Sequence, residues 1–138
     1  MKLVLATHNA HKVTEVAAIL EPLVPGLELL GYDGPEPVED GSSFLENSLI
    51  KARAAFLYTG KASIADDSGL AIEIMGGSPG IFSARWSGDK DDKKNRELVL
   101  AQLQDVPEGN RAASFVCTIS LVDAVSYTHL TLPTIYSV

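Results

Sequence analysis

Apolar residues open the chain as one short continuous run, Leu3 to Ala6, and such a run predicts a buried strand. Thr7-His8-Asn9 breaks it with polar, turn-prone residues. From Ala10 the period changes. Val13, Val16, Ala17 and Leu20 fall at i, i+3, i+4 and i+7, one face of a helix, and Pro22 and Pro25 are expected to end it. Leu27 to Leu30 reads as a second strand, and Tyr32 to Gly41, rich in Pro, Gly and acid, as a loop. Ser43-Phe44-Leu45-Glu46 has the form of a capping box. The helix behind it turns Leu45, Leu49, Ala52 and Phe56 inward and Asn47, Lys51 and Arg53 outward, and Gly60 is placed to close it.

The second half continues the alternation. Ser63 to Ala65 and Leu70 to Ile74 read as two strands, with Asp66-Asp67-Ser68-Gly69 between them. Gly76 to Gly80 is a loop. Asp89 to Gln104 is helical with Leu98, Val99 and Leu103 inward, Pro107 to Asn110 is a turn, and Arg111 to Val122 is a long strand. Ser126 to Val138 has neither period and a proline in its middle, so it reads as irregular. Strand, polar turn and helix in succession predict an α/β fold.

Length and composition narrow this picture. A chain of 138 residues fits one domain and can bury a real core. Apolar residues at 46% and charged residues at 21% argue against disorder. The net charge of −7 disfavours a protein that coats nucleic acid. A small phosphate compound must then be held by a local device: a helix N-terminus, a lysine or a divalent cation. Cys117 is the single cysteine, which excludes an internal disulfide and suits a reducing cytosol. Between Phe115, Val116 and Ile119 it is expected to be a buried structural thiol. Met1 to Ala6 is too short for a signal peptide's apolar region, and no apolar stretch reaches the ~20 residues that span a membrane.

Four clusters carry candidate chemistry. Thr7-His8-Asn9-Ala10-His11-Lys12 joins a strand to a helix N-terminus, which favours an anion, with Lys12 one turn in. Asn9 as a plain N-cap and Lys12 as a solvated charge is the competing reading. Asp66-Asp67-Ser68-Gly69 offers two hard oxygen donors of the kind Mg²⁺ takes, or else an Asx-turn. Extended backbone would send the two carboxylates to opposite faces, while a turn would let them converge. Glu39-Asp40-Gly41 adds a further carboxylate, or is loop surface. Ser78 to Gly88 sets Arg85 beside Trp86, either to frame a base or phosphate or to pack with Phe82. His8, His11 and His129 have no metal-ligand spacing.

In order and spacing, LATHNAHKVTEV, EDGSSFLENSLIKARA and ADDSGLAIEIMGGSPGIFSARWSG resemble the inosine/xanthosine triphosphate pyrophosphatase family over residues 1 to about 123. The resemblance implies an α/β fold with a long mixed sheet, flanking helices and two lobes. It also implies Mg²⁺-dependent hydrolysis of deaminated purine nucleoside triphosphates (ITP, dITP, XTP) to the monophosphate and pyrophosphate, by a cytoplasmic homodimer. Carried over by position, Thr7, His8, Asn9, Ala10, His11 and Lys12 hold the triphosphate and Ser68 touches the substrate. Glu39 and Asp67 bind Mg²⁺, Asp67 also accepts the proton of the attacking water, and Asp66, Lys51 and Arg85 support the site.

The family's Gly-Tyr-Asp-Pro and Ser-His-Arg stretches have no counterpart here, and residues 124–138 match nothing in its pattern. A C-terminally incomplete member with a non-native tail is therefore expected. An inactive nucleotide-binding fragment and a Maf-like nucleotide pyrophosphatase are the alternatives.

Overall fold

The computed structural model describes residues 1–125 and the backbone of residues 134–137. The single domain expected from length resolves into two compact units. Among the described residues, one comprises residues 1–66 and 118–125; the other comprises residues 67–117 and the strand Thr134–Ser137.

The first unit is built by β-α-β crossovers. Strand β1 (Lys2–Leu5) leads through helix α1 (Ala10–Leu23) to β2 (Glu28–Leu30), and through α2 (Phe44–Thr59) to β3 (Ser63–Ile72). Both neighbours of β1 run parallel to it, with Leu3 opposite Leu29 and Val4 opposite Ser63. The strand order is β2-β1-β3-β5, β5 being Ala113–Val122. Ala52 and Ala55 are fully buried, so α2 presents its smallest side chains to the sheet. Leu49 and Ala52 join Ala65 and Val122 in one core cluster, and Val4, Tyr32 and Ala55 form another.

Helix α1 keeps the expected face, but Val13, Val16, Ala17 and Leu20 are only half-buried. Pro22 does not end the helix; it lies inside the last turn, where Val24 N–H still reaches the Leu20 carbonyl. A proline near the end removes only its own bond. Glu21 accepts from the Leu29 N–H, so a side chain satisfies a donor of the terminal strand β2.

In α2 the capping box forms in a shifted version. Ser43 Oγ accepts from Glu46 N–H at 3.1 Å, but the Glu46 carboxylate reaches past Ser43 to the N–H and hydroxyl of Ser42, at 2.6 and 3.0 Å. The bond from the Ser42 backbone, then that from its hydroxyl, holds the Glu46 carboxyl below its ordinary value. A depressed value in the folded state gives stability that is present above the unfolded carboxyl value and lost as pH falls through the folded one. Glu46→Gln is therefore expected to lower the urea midpoint at neutral pH and to leave it unchanged at strongly acidic pH. Gly60 closes the helix at φ 68°, a left-handed conformation that suits glycine.

Asn47 is not on the solvent side as expected. It is buried, because its amide is spent on the preceding loop. Ser48 and Ser120 are also buried and share a 2.5 Å hydroxyl pair. Ser48 donates to the Leu45 carbonyl, so Ser120 is the donor within the pair.

In the second unit β3 continues without a break through Asp67 to Ile72. The two short strands expected around Asp66-Asp67-Ser68-Gly69 are therefore one ten-residue strand. Ladder pairing overrides the weak strand preference of these residues: β1 holds Ser63 and Ile64, and β4 (Ser78–Pro79) pairs with Ala71 and Ile72. Short 3₁₀ turns follow at Glu73–Met75 and Gly80–Arg85. Helix α3 (Asp92–Gln102) starts at an Asp91 N-cap that accepts from Lys93 and Lys94 N–H. Leu103 is buried, whereas Leu98 and Val99 are half-buried. Cys117 is half-buried rather than buried.

Part of the segment expected to be irregular is ordered. Thr134–Ser137 forms β6, antiparallel to β5, with Ser114 opposite Ser137 and Cys117 opposite Thr134. A ladder donated by β5 supplies the regularity that this segment's own pattern lacks. Residues 126–133 and His129 lie outside the described residues. Among the described residues no helix is long and apolar enough to cross a membrane.

Candidate active site

The turn between β1 and α1 is organised by its own side chains. Asn9 N–H donates to Thr7 Oγ1 at 3.1 Å, and Asn9 Oδ1 accepts from His11 and Lys12 N–H at 3.0 and 3.3 Å. Asn9 is thus the N-cap, and two of the helix's first donors are already engaged. The other half of the competing reading does not hold, because Lys12 is not a solvated charge. Its ammonium meets Asp66 Oδ1 at 2.5 Å, with the side chains 38% and 23% exposed. A strand and the helix beside it thus bring a cation and a carboxylate together at the end of the turn.

His11 points away from this pair and joins Glu15 one turn along the helix, at 3.0 Å. His8 faces the loop instead. Its Nε2 lies 2.6 Å from the Gly34 carbonyl, its Nδ1 lies 3.3 Å from Glu36, and its ring lies against Tyr32. Tyr32 is itself buried. Desolvation first, then Tyr58, Asp33 and Glu36, raises its phenol above the ordinary value.

The loop reaches Glu39, whose carboxylate meets Lys51 Nζ at 3.1 Å. Glu39 is therefore not plain surface, while Asp40 is exposed. Gly41 N–H donates to the buried Asn47 Oδ1 at 2.8 Å. A Cβ at Gly41 would stand 2.7 Å from that oxygen, so the loop can pass there only as glycine.

In the second unit Asp67 is half-buried with Oδ2 shut off from solvent, and Ser68 is exposed. Because Asp66 and Asp67 are successive residues of an extended strand, they point to opposite faces and do not converge as a turn would allow. Arg85 is exposed and lies 5.5 Å from the Phe82 ring centre, while Trp86 donates to Gln102 at 2.8 Å. Phe82 is itself exposed. Asn95 fixes this segment: its amide donates to the Ala84 carbonyl and accepts from Ser87 N–H.

The matched residues decide the relationship. The Ham1 family model matches residues 3–133. This chain belongs to the Ham1 family. The Ham1-family chain is 55% identical over 123 residues to the dITP/XTP pyrophosphatase of Leifsonia xyli subsp. xyli, covering 88% of this chain and 62% of that protein. It is 48% identical over 125 residues to the dITP/XTP pyrophosphatase of Streptomyces avermitilis, covering 87% and 62%. It therefore spans about three fifths of the length of these curated relatives.

Among solved structures, the Ham1 fold here superposes on the nucleoside-triphosphatase / dITP/XTP pyrophosphatase of Mycobacterium abscessus with a TM-score of 0.85 at 39% identity, covering 99% of this chain and 73% of that one. On the HAM1 protein of Coxiella burnetii the TM-score is 0.89 at 33% identity, with 99% and 71% covered. The family and the mixed α/β fold expected from the motifs are both borne out.

The motifs did not reveal several residues that shape this Ham1 site: Tyr32, Gly34 and Glu36 around His8, and Asn47 and Asn95 as loop anchors. A faint signal existed for Asn95. A single amide on the inward side of an amphipathic helix must find backbone partners when buried.

Proposed function

We propose that this chain carries the catalytic groups of a nucleoside triphosphate pyrophosphatase acting on deaminated purine nucleotides, ITP, dITP and XTP. The products are the monophosphate and pyrophosphate. The observation that carries the reading is the Lys12 ammonium, presented beside Asp66 at the end of the β1–α1 turn. In a chain of net charge −7, a fixed cation at a helix N-terminus is the local device a triphosphate requires. The names of the relatives, dITP/XTP pyrophosphatases, support the substrate class.

In this reading the turn from Thr7 to Lys12 faces the phosphates with its backbone, and Lys12 exchanges part of its contact with Asp66 for phosphate oxygen. Ser68, on exposed strand, meets the substrate. Asp67 orients the attacking water and takes its proton. Glu39 and Asp67 would hold Mg²⁺. Each is a hard carboxylate of the kind Mg²⁺ takes: Glu39 already faces a cation in Lys51, and Asp67 has a carboxylate oxygen withdrawn from solvent. Mg²⁺ takes one or two carboxylates and completes its shell with water and phosphate. When bound, it supplies charge neutralisation at the phosphates. The cytoplasmic setting and the homodimer belong to the same proposal.

The test is pyrophosphate release from ITP, dITP, XTP and ATP, with Mg²⁺ and with EDTA. Release from the deaminated purines, abolished by EDTA, is expected. A nucleotide-dependent thermal shift without release would leave a binding fragment. Preference for another base class would favour a Maf-like activity.

A further inference from the structure

His8 belongs to the segment assigned to the triphosphate, yet the surroundings of its ring point elsewhere. Both ring nitrogens are engaged by one short stretch of loop: Nε2 by the Gly34 carbonyl at 2.6 Å, and Nδ1 by the Glu36 carboxylate at 3.3 Å. A carbonyl oxygen only accepts, so Nε2 is the donor. The ring face meets Tyr32 at 5.6 Å between centroids.

That stretch is folded on itself. Tyr32 Oη donates to the Pro35 carbonyl at 2.6 Å, and a Cβ at Gly34 would stand 2.6 Å from the Tyr32 ring. Tyr32 belongs to the core with Val4 and Ala55, so the curl is anchored from below and His8 closes it from above. The loop is tied again at its far end, where Gly41 bonds Asn47 and Glu39 meets Lys51. Glu39 thus lies between the His8 contacts and the Gly41 bond, and its own carboxylate is held by Lys51.

We propose that His8 is a positioning residue: it clamps the Tyr32–Glu36 curl and thereby sets where Glu39 is presented, and it does not contact the phosphates. This rests on the reading of Glu39 as a metal ligand, but the clamp itself can be observed without turnover.

The experiment compares the parent chain with His8→Ala, His8→Asn and Glu36→Gln, with folding checked by circular dichroism. The first readout is ¹⁵N relaxation of the Gly34, Glu36 and Glu39 amides, with neither nucleotide nor metal present. In His8→Ala their order parameters are expected to fall from ~0.85 toward ~0.6, while those of α2 stay unchanged. Glu36→Gln, which leaves His8 in place but removes the carboxylate charge, should give a smaller fall, and His8→Asn should recover part of the order through one donated bond. The second readout is kinetic. The Mg²⁺ concentration for half-maximal rate should rise ~5-fold or more, as expected for one lost net hydrogen bond, with KM for ITP unchanged. A raised KM for ITP with unchanged loop order parameters would overturn the proposal. If the parent chain does not turn over, the function proposed above fails, and the relaxation data alone still decide the clamp.

Discussion

Asp67→Asn is expected to reduce pyrophosphate release by about 10²- to 10⁴-fold, the range a positioned general base contributes. The amide keeps the size and one acceptor oxygen of the carboxylate but has no charge and no capacity to take a proton from water. Asp67 sits in the middle of the continuous strand β3, which pairs with neighbouring strands, so its backbone path does not depend on the side chain. The substitution should therefore leave the far-UV spectrum unchanged, and nucleotide should still produce a thermal shift through Lys12. Single-turnover measurements with ITP check this. A variant that retains more than a tenth of the parental rate would remove Asp67 from the proton-transfer role, and Asp66, on the opposite face of the same strand, would be the next carboxylate to replace.

Lys12→Met is expected to separate binding from stability. The ammonium is the charge that offsets the triphosphate, and loss of one such stabilising contact costs about 10²- to 10³-fold in rate. The ion pair with Asp66 is partly exposed, so its loss should change stability by only ~1 kcal/mol or less. Lys12→Arg should not rescue fully, because a planar guanidinium fork does not reproduce a compact ammonium. Asp66→Asn tests the pair from the other side. It frees Lys12 without removing its charge, so it should tighten nucleotide binding while slowing turnover less than Lys12→Met. Isothermal titration with ITP reads the binding. Equal affinity in the parent and Lys12→Met would refute the assignment of Lys12 as the phosphate anchor.

What could be read from the sequence follows from where local rules and packing agree. The first strand, the succession of strand and helix in the first half and the Gly60 end of α2 were legible because apolar period, cap and glycine all pointed the same way. The break expected at Asp66 to Gly69 was wrong because residues of low strand preference are held in line by partners at both ends of β3. Thr134–Ser137 was missed for the same reason, since β5 supplies its ladder.

The period of α1 marks a face, but Val13, Val16, Ala17 and Leu20 on it are only half-buried, because how far a face is covered depends on what packs over it. At the site, the motifs located the residues that bear charge, but not the contacts that place them. Lys12 with Asp66 and His8 with Gly34 and Glu36 join residues 54, 26 and 28 positions apart in the chain, beyond the reach of any local pattern.

We propose above that this chain cleaves deaminated purine triphosphates between the α- and β-phosphates. The most direct measurement is the identity of the products from ITP and Mg²⁺, resolved by anion-exchange chromatography. IMP and pyrophosphate in equal amounts are expected, with the signal lost in Asp67→Asn. IDP and orthophosphate, or intact ITP after incubation with folded protein, would contradict it.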